Sequence, residues 1–221
     1  KHFWEIFPAS RRTCPNADKA GFDNVGKLGI ADLDISDDGS RLFFFNLLDR
    51  KVYAINIDPV NPSAATSSLY GSWAVPNTCG NAGDNRPWGL TYHQGKVYVG
   101  TVCSQESTQS ASGLKATVFE INENAPGSTP TQVLQFPLTY TKGYTDGACS
   151  VAQSQWKPWT LQFPNPCSNN WIIYPQPILS DIEFDTNGDM IIGFIDRTGF
   201  QTGDENFSPN PENGIGNFNG F

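Results

Sequence analysis

Hydrophobic positions along the chain gather in short runs of period two, and three stretches repeat one arrangement. Ile30–Asn46, Trp88–Gly100 and Ser180–Phe194 each begin with a short alternating run, pass through a polar turn that ends in glycine, and finish in a nearly continuous apolar run. Each reads as a β-hairpin. Leu33 with Ile35, Leu90 with Tyr92, and Ile182 with Phe184 share a face by the two-residue period. Asp38-Gly39, Gln94-Gly95 and Asn187-Gly188 place glycine where the turn needs positive φ. The second runs (Leu42–Phe45, Val97–Val99, Met190–Phe194) suit strands buried on both faces. Further strands are predicted over 50–58, 67–75, 116–122 and 132–136.

Four antiparallel strands per repeated unit is the pattern of a β-propeller blade. The expected fold is therefore all-β: a β-propeller of four-stranded antiparallel blades with about three blades present. The turn glycines Gly39, Gly95 and Gly188 lie 56 and 93 residues apart. The first interval suits one blade and the second exceeds it, so an inserted loop is expected over 139–176, with blades over approximately 28–85, 86–138 and 177–221 of a single segment 1–221. Propellers close with four to eight blades, so the chain reads as a partial ring, the rest lying in missing sequence or another chain. The segment Phe3–Phe7 is a candidate outer strand of a preceding blade.

Composition narrows the class. The 221 residues carry 14 basic and 22 acidic side chains, a formal charge of −8, which argues against a nucleic-acid partner. Aromatics at 13 % argue against disorder, and no apolar run reaches the ~18 residues of a membrane-spanning helix. The five cysteines form no C-x-x-C pair. Cys79 with Cys103, and Cys149 with Cys167, are the expected disulfides, with Cys14 left over. Disulfides place the chain outside the cell or on its surface; five reduced, buried thiols are the other reading.

Several motifs together, Asp32-Leu-Asp-Ile-Ser-Asp-Asp-Gly39, Asn46-Leu-Leu-Asp-Arg-Lys-Val-Tyr53, Arg86-Pro-Trp-Gly-Leu90, Lys96-Val-Tyr-Val-Gly100, Val102-Cys-Ser104, Trp156-Lys-Pro-Trp159, Tyr174-Pro-Gln-Pro-Ile178 and Gly193-Phe-Ile-Asp-Arg-Thr-Gly199, resemble the repeat of a secreted bacterial β-propeller family. Members are large surface or exported proteins, often carrying the propeller beside SdrD B-type Ig-like repeats. The resemblance covers about residues 20 to 204. It implies an extracellular structural or adhesive role, a protein or glycan partner at the cell surface, and no established reaction.

Candidate chemistry is sparse. Asp32 and Asp181 occupy equivalent places on inner strands, and two readings remain open for them: channel carboxylates holding a metal such as Ca²⁺, or acceptors for turns and for arginines such as Arg86 and Arg197. Asp185-Thr-Asn-Gly-Asp189 resembles the start of a calcium loop, but its flanks predict a hairpin turn. No other cofactor is indicated. His2 and His93, far apart, do not suggest a zinc site or a catalytic triad, and neither G-x-S-x-G nor a P-loop occurs. Trp156 and Trp159 in the inserted loop, with Arg86 and Trp88 beside the channel, are candidate ligand-binding residues; packing of the tryptophans as a lid is the alternative. Asn206-Phe-Ser208 matches an N-glycosylation sequon. The expected function is a non-catalytic extracellular interaction, adhesion or structural module of a larger surface protein. A metal-dependent propeller enzyme of lactonase or lyase type and a carbohydrate-binding lectin are the alternatives.

Overall fold

The computed structural model describes residues 18–63, 67–143, 151–167, 171–203, 206–209 and 217–220. Cys14, Cys149, Phe3–Phe7 and His2 lie outside these residues. A short helix α1 (Lys19–Asn24), capped by the Asp18 carboxylate accepting from the Gly21 N–H at 2.8 Å, leads into the first sheet. That sheet runs β1 (Ile30–Ile35), β2 (Arg41–Asn46), β3 (Lys51–Asn56) and β4 (Ser68–Ala74), antiparallel and in sequence order. The second repeats it with β5 (Asn85–His93), β6 (Lys96–Cys103), β7 (Lys115–Asn122) and β8 (Thr131–Pro137). After β9 (Trp171–Ile172), β10 (Pro177–Phe184) and β11 (Met190–Asp196) form the third hairpin. Each sheet is an up-and-down meander with its first strand at one edge, and β5 packs between β1 and β10. This is the arrangement of propeller blades, with β1, β5 and β10 innermost.

The third unit departs from the other two. Instead of running on to a third strand, the chain turns into α2 (Arg197–Thr202) directly after β11. The Asp196 side chain causes the stop: its Oδ1 caps the Thr198 N–H at 2.9 Å and also accepts from the Gln176 N–H at 2.9 Å. The strands β12 (Asn206–Phe207) and β13 (Asn217–Gly220) pair with each other, and β13 runs parallel to β9.

The three hairpins share one register. Leu33 faces Phe44 and Ile35 faces Leu42; Leu90 faces Val99 and Tyr92 faces Val97; Ile182 faces Ile192 and Phe184 faces Met190. In the β5–β6 turn both Gln94 (φ 49°) and Gly95 (φ 77°) are left-handed, as a two-residue type I′ hairpin demands.

Two cores follow from the stacking. Phe43, Phe45, Val52, Ala54 and Trp73 of the first sheet meet Leu90, Val97, Val99, Phe119 and Ile121 of the second. The opposite face of the second sheet, with Val102, Ala116 and Val118, meets Ile178, Leu179 and Ile182 of the third. The second sheet is thus covered on both faces, which is why β6 and β7 read as continuous apolar runs. Backbone closeness at the second joint rests on glycine. A Cβ at Gly89 would stand 2.9 Å from the Asp181 nitrogen and 3.1 Å from the Leu179 oxygen, and one at Gly100 would stand 2.2 Å from Leu179 Cδ2.

Candidate functional site

The inner strands carry the first group of candidate residues. In β1, Asp32 and Asp34 point toward the second sheet, the face they share with Phe43 through the Asp34–Phe43 register pair. Asp32 Oδ2 accepts the Leu90 N–H at 2.9 Å and Oδ1 the Leu33 N–H at 2.9 Å. Asp34 Oδ2 accepts the Tyr92 N–H at 2.7 Å and the Thr91 hydroxyl at 3.3 Å, and Oδ1 the Ile35 N–H at 2.7 Å. These N–H groups lie on the edge of β5 that β6 leaves unpaired, and the carboxylates cap them as a neighbouring strand would. Burial pushes the Asp32 carboxyl above its ordinary value; the Leu90 and Leu33 N–H groups pull it down, and the Asp181 and Asp34 charges push it up. One oxygen of Asp32 is therefore engaged in joining the two sheets and the other in its own strand.

Asp181 sits opposite Gly193 in the third hairpin, on the face turned away from the second sheet, and is exposed. Among the described residues no group of three His, Cys, Asp or Glu side chains is arranged to hold a metal ion. Asp185 accepts from the Asn187 N–H at 2.8 Å and the Asp189 N–H at 2.9 Å, bonds internal to a hairpin turn, and these hold its carboxyl below the ordinary range.

A second group gathers where the inner strands begin. Arg86, second residue of β5, donates from Nη2 to Glu106 Oε2 at 2.8 Å, and Lys27, just before β1, donates to Glu106 Oε1 at 2.5 Å. The indole of Trp159 lies near two guanidinium groups, with Arg197 at 4.5 Å and Arg86 at 5.5 Å from its ring centre. Arg197 is fully buried and satisfied by oxygens from three segments: Val25 O at 2.8 Å, Asp23 O at 3.2 Å, Thr160 O at 3.1 Å and Gln176 Oε1 at 2.7 Å. Burial draws its pKa down to about 10. Burial raises the Glu106 carboxyl, but the Lys27 hydrogen bond and the Lys27, Arg86 and Arg197 charges outweigh it and bring the group below its ordinary 4.5. Burial, with the charges of Arg197 and Arg86, lowers Lys27. Two cations thus contact one carboxylate, and the Arg197 charge acts on it from farther away.

The structure redistributes the sequence-derived candidates. Trp159 is 1 % and Trp156 5 % exposed, both inside the core between the second and third sheets. Trp159 Nε1 donates to Pro177 O at 2.9 Å. Both rings pack in that core. Trp88 is half-buried and packs against both cores. Arg86 and Arg197 pair with Glu106 and with carbonyl oxygens, not with Asp32 or Asp181 as anticipated. His93 stacks on Phe184 at 4.2 Å between centroids, 11° from parallel. Residues not anticipated are Asp34 as a strand cap, Glu106, Lys27 and Gln176. Asp34 had a signal in its two-residue spacing from Asp32. Glu106 and Lys27 are single charges in loops 79 residues apart, with no pattern joining them.

Cys79 and Cys103 form a disulfide bridging the entry to β5 and the end of β6. Cys167 is also disulfide-bonded. These bonds fit an oxidising, extracellular-type environment. No helix among the described residues is long and apolar enough to cross a membrane.

No protein-family model matches the chain. Two proteins of Dictyostelium discoideum are similar to it. Colossin-A is 30 % identical over 134 residues, covering 58 % of this chain and 1 % of the relative. Colossin-C is 31 % identical over 178 residues, covering 79 % of this chain and 16 % of the relative. Neither is bacterial, and the chain corresponds to a small part of a much longer protein in each. A crystal structure of a protein from Lactobacillus plantarum superposes with a TM-score of 0.34 at 15 % identity, over 76 % of this chain and 41 % of that one, a likeness too slight to add to the blade geometry.

Proposed function

We propose that the chain is a non-catalytic interaction or structural module of a larger extracellular or surface protein. The observation that carries this reading is the use to which the inner-strand carboxylates are put. The residues best placed to line a channel and bind a metal or substrate, Asp32 and Asp34, spend one oxygen each on the Leu90 and Tyr92 N–H groups of the next blade and the other on the N–H of the following residue in their own strand. The tryptophans of the inserted segment likewise serve the core. What remains is a rigid set of sheets with exposed apolar faces, the property of a surface that meets other protein. The disulfides and the small share of each colossin that the chain matches support a place within a long exported chain. A bacterial family with neighbouring SdrD B-type repeats, suggested by the sequence motifs, belongs to the same proposal.

The test is to label intact, unpermeabilised cells of the source organism with an antibody to this chain, while differential thiol alkylation reads the state of Cys79 and Cys103. Surface labelling with both cysteines oxidised is expected. Labelling only after permeabilisation, with both thiols free, would overturn the reading.

A further inference from the structure

A cavity of about 430 Å³ opens at the end of the second sheet where β5 begins, lined by Gln105, Lys115, Gln135 and Phe136 beside Cys79. Lys115 pairs with Cys103 on one side and Pro137 on the other, so the floor is the disulfide-tied end of β6, β7 and β8. The wall that carries Gln105 is fixed by its neighbours. Glu106 takes Arg86 and Lys27, and Ser107 donates to Asp84 from its N–H at 3.0 Å and its hydroxyl at 2.6 Å. Gln109 Nε2 donates to Trp159 O at 2.8 Å. Gln105 and Gln109 are both left-handed, with φ of 53° and 54°, a conformation that costs energy in a residue with a side chain. Glycine at position 113 is what lets the Gln105 amide lie where it does: a Cβ there would stand 2.4 Å from Gln105 Oε1.

The groups left over around this cavity suit one chemistry. Gln105 Oε1 accepts from the Thr108 hydroxyl at 2.7 Å, while its Nε2 donates to nothing among the described residues. Gln135 Nε2 donates to Thr117 Oγ1 at 3.1 Å, while its Oε1 accepts from nothing among them. One amide thus offers a donor and the other an acceptor. The Lys115 ammonium forms no ion pair among the described residues. Phe136 adds an aromatic ring, steadied by an edge-on contact with Phe194. We infer that the cavity binds a sugar residue that carries a carboxylate, a uronic acid in class. The two amides meet its ring hydroxyls, which both donate and accept. The ammonium meets its carboxylate, and Phe136 its apolar C–H face. The volume lies in the lower part of the range for small-ligand sites, and a wall already held in place needs little ordering on binding. This names the partner chemistry of the proposed interaction module and rests on that reading. A peptide carboxylate shares the charge but not the hydroxyls that the two amides suit.

Isothermal titration calorimetry of the 221-residue chain with glucuronate and galacturonate tests this, with glucose, galactose, acetate and triglutamate as comparisons at one ionic strength. A uronate is expected to bind at least about tenfold more tightly than the neutral sugars and than acetate, which has the charge without the hydroxyls. Lys115→Met should remove the preference for the acidic sugar, and Gln105→Ala should weaken uronate binding. Near-UV circular dichroism of both variants should match the wild type. The comparison of ligands on the wild-type chain needs no variant, so it stands even where a variant misfolds. Absence of uronate binding, equal binding of acidic and neutral sugars, or indifference to Lys115→Met overturns the inference. Binding of triglutamate in place of the uronates overturns it too and makes the cavity a peptide site. None of these results bears on surface labelling, so failure here is separable from failure of the proposed function.

Discussion

The Asp34 carboxylate of the first blade receives the backbone N–H of Tyr92 in the second at 2.7 Å. Asp32 does the same for Leu90 two residues earlier. The edge of β5 would otherwise carry bare donors into the joint, and a buried unpaired N–H is costly. Asp34→Ala should therefore lower stability by about 1–3 kcal/mol in urea unfolding. The double variant with Asp32→Ala should approach the sum of the two singles, since each carboxylate serves its own N–H; a double variant no worse than either single would show that the pair acts otherwise.

The joint between the second and third blades lacks such carboxylates and depends on closeness instead. A Cβ at position 89 would press on backbone atoms of Ser180 and Asp181, which cannot rotate away. Gly89→Ala should cost about 1–3 kcal/mol. At position 100 the obstacle is the Leu179 side chain, which can change rotamer, so Gly100→Ala should cost less. Thermal denaturation of the two variants side by side checks the order.

The blade pattern was legible in the sequence because a hairpin of this kind is local. Alternation, a glycine at the turn and a second apolar run are all contained within about fifteen residues, and the strands from β1 to β8 form where those signals stand. The conversion of the third unit into α2 was not legible, because it depends on Asp196 capping a helix that Gln176, twenty residues upstream, also holds. The joint carboxylates were half legible. The Asp-x-Asp spacing showed that both side chains share a face, but whether that face meets a metal or a neighbouring strand depends on a sheet fifty-eight residues away. Trp156 and Trp159 left two readings open for a related reason: a loop rich in aromatic residues looks the same in sequence whether its rings face solvent or core.

Trp159 fills the space beside Arg86 and Arg197 and donates to Pro177 O. Trp159→Ala should destabilise the chain by about 3–5 kcal/mol. Removing the whole segment 139–176 should unfold the second and third blades together, since Trp156 and Trp159 are part of their shared core. A deletion variant with an unchanged melting curve would show that the segment is an ornament after all.

The Cys79–Cys103 disulfide closes a separation of 24 residues around the start of β5. Its removal by Cys79→Ser with Cys103→Ser should lower stability by about 2–4 kcal/mol. Cys103 is buried, so the serine hydroxyl adds a polar group to the core and the cost should fall toward the upper end. Comparison with Cys79→Ala and Cys103→Ala, which tie no loop and bury no hydroxyl, separates the two contributions.

Acid should loosen the chain at the mouth of the inner strands first. The folded state holds the Glu106 carboxyl below its ordinary 4.5, so the ionised form is favoured by folding. That contribution is fully present above the ordinary value and is lost as pH falls through the folded-state value, leaving Lys27, Arg86 and Arg197 without their shared counter-charge. Asp38 acts in the same direction: hydrogen bonds from Ser36 and Ser40 hold it at about 2. Asp32 and Asp196, raised by burial, act in the opposite sense, since protonation relieves their desolvation, so the net acid slope measures the lowered group against the raised one. Glu106→Gln isolates one term. At neutral pH the variant should be less stable by about 2–3 kcal/mol, because the partly buried Lys27 and Arg86 lose their carboxylate. Between neutrality and about pH 3 it should lose less stability than the wild type, because the titrating group is gone. Urea unfolding of both chains at the two pH values reads this directly; parallel losses in the two chains would show that Glu106 is not the group whose protonation matters.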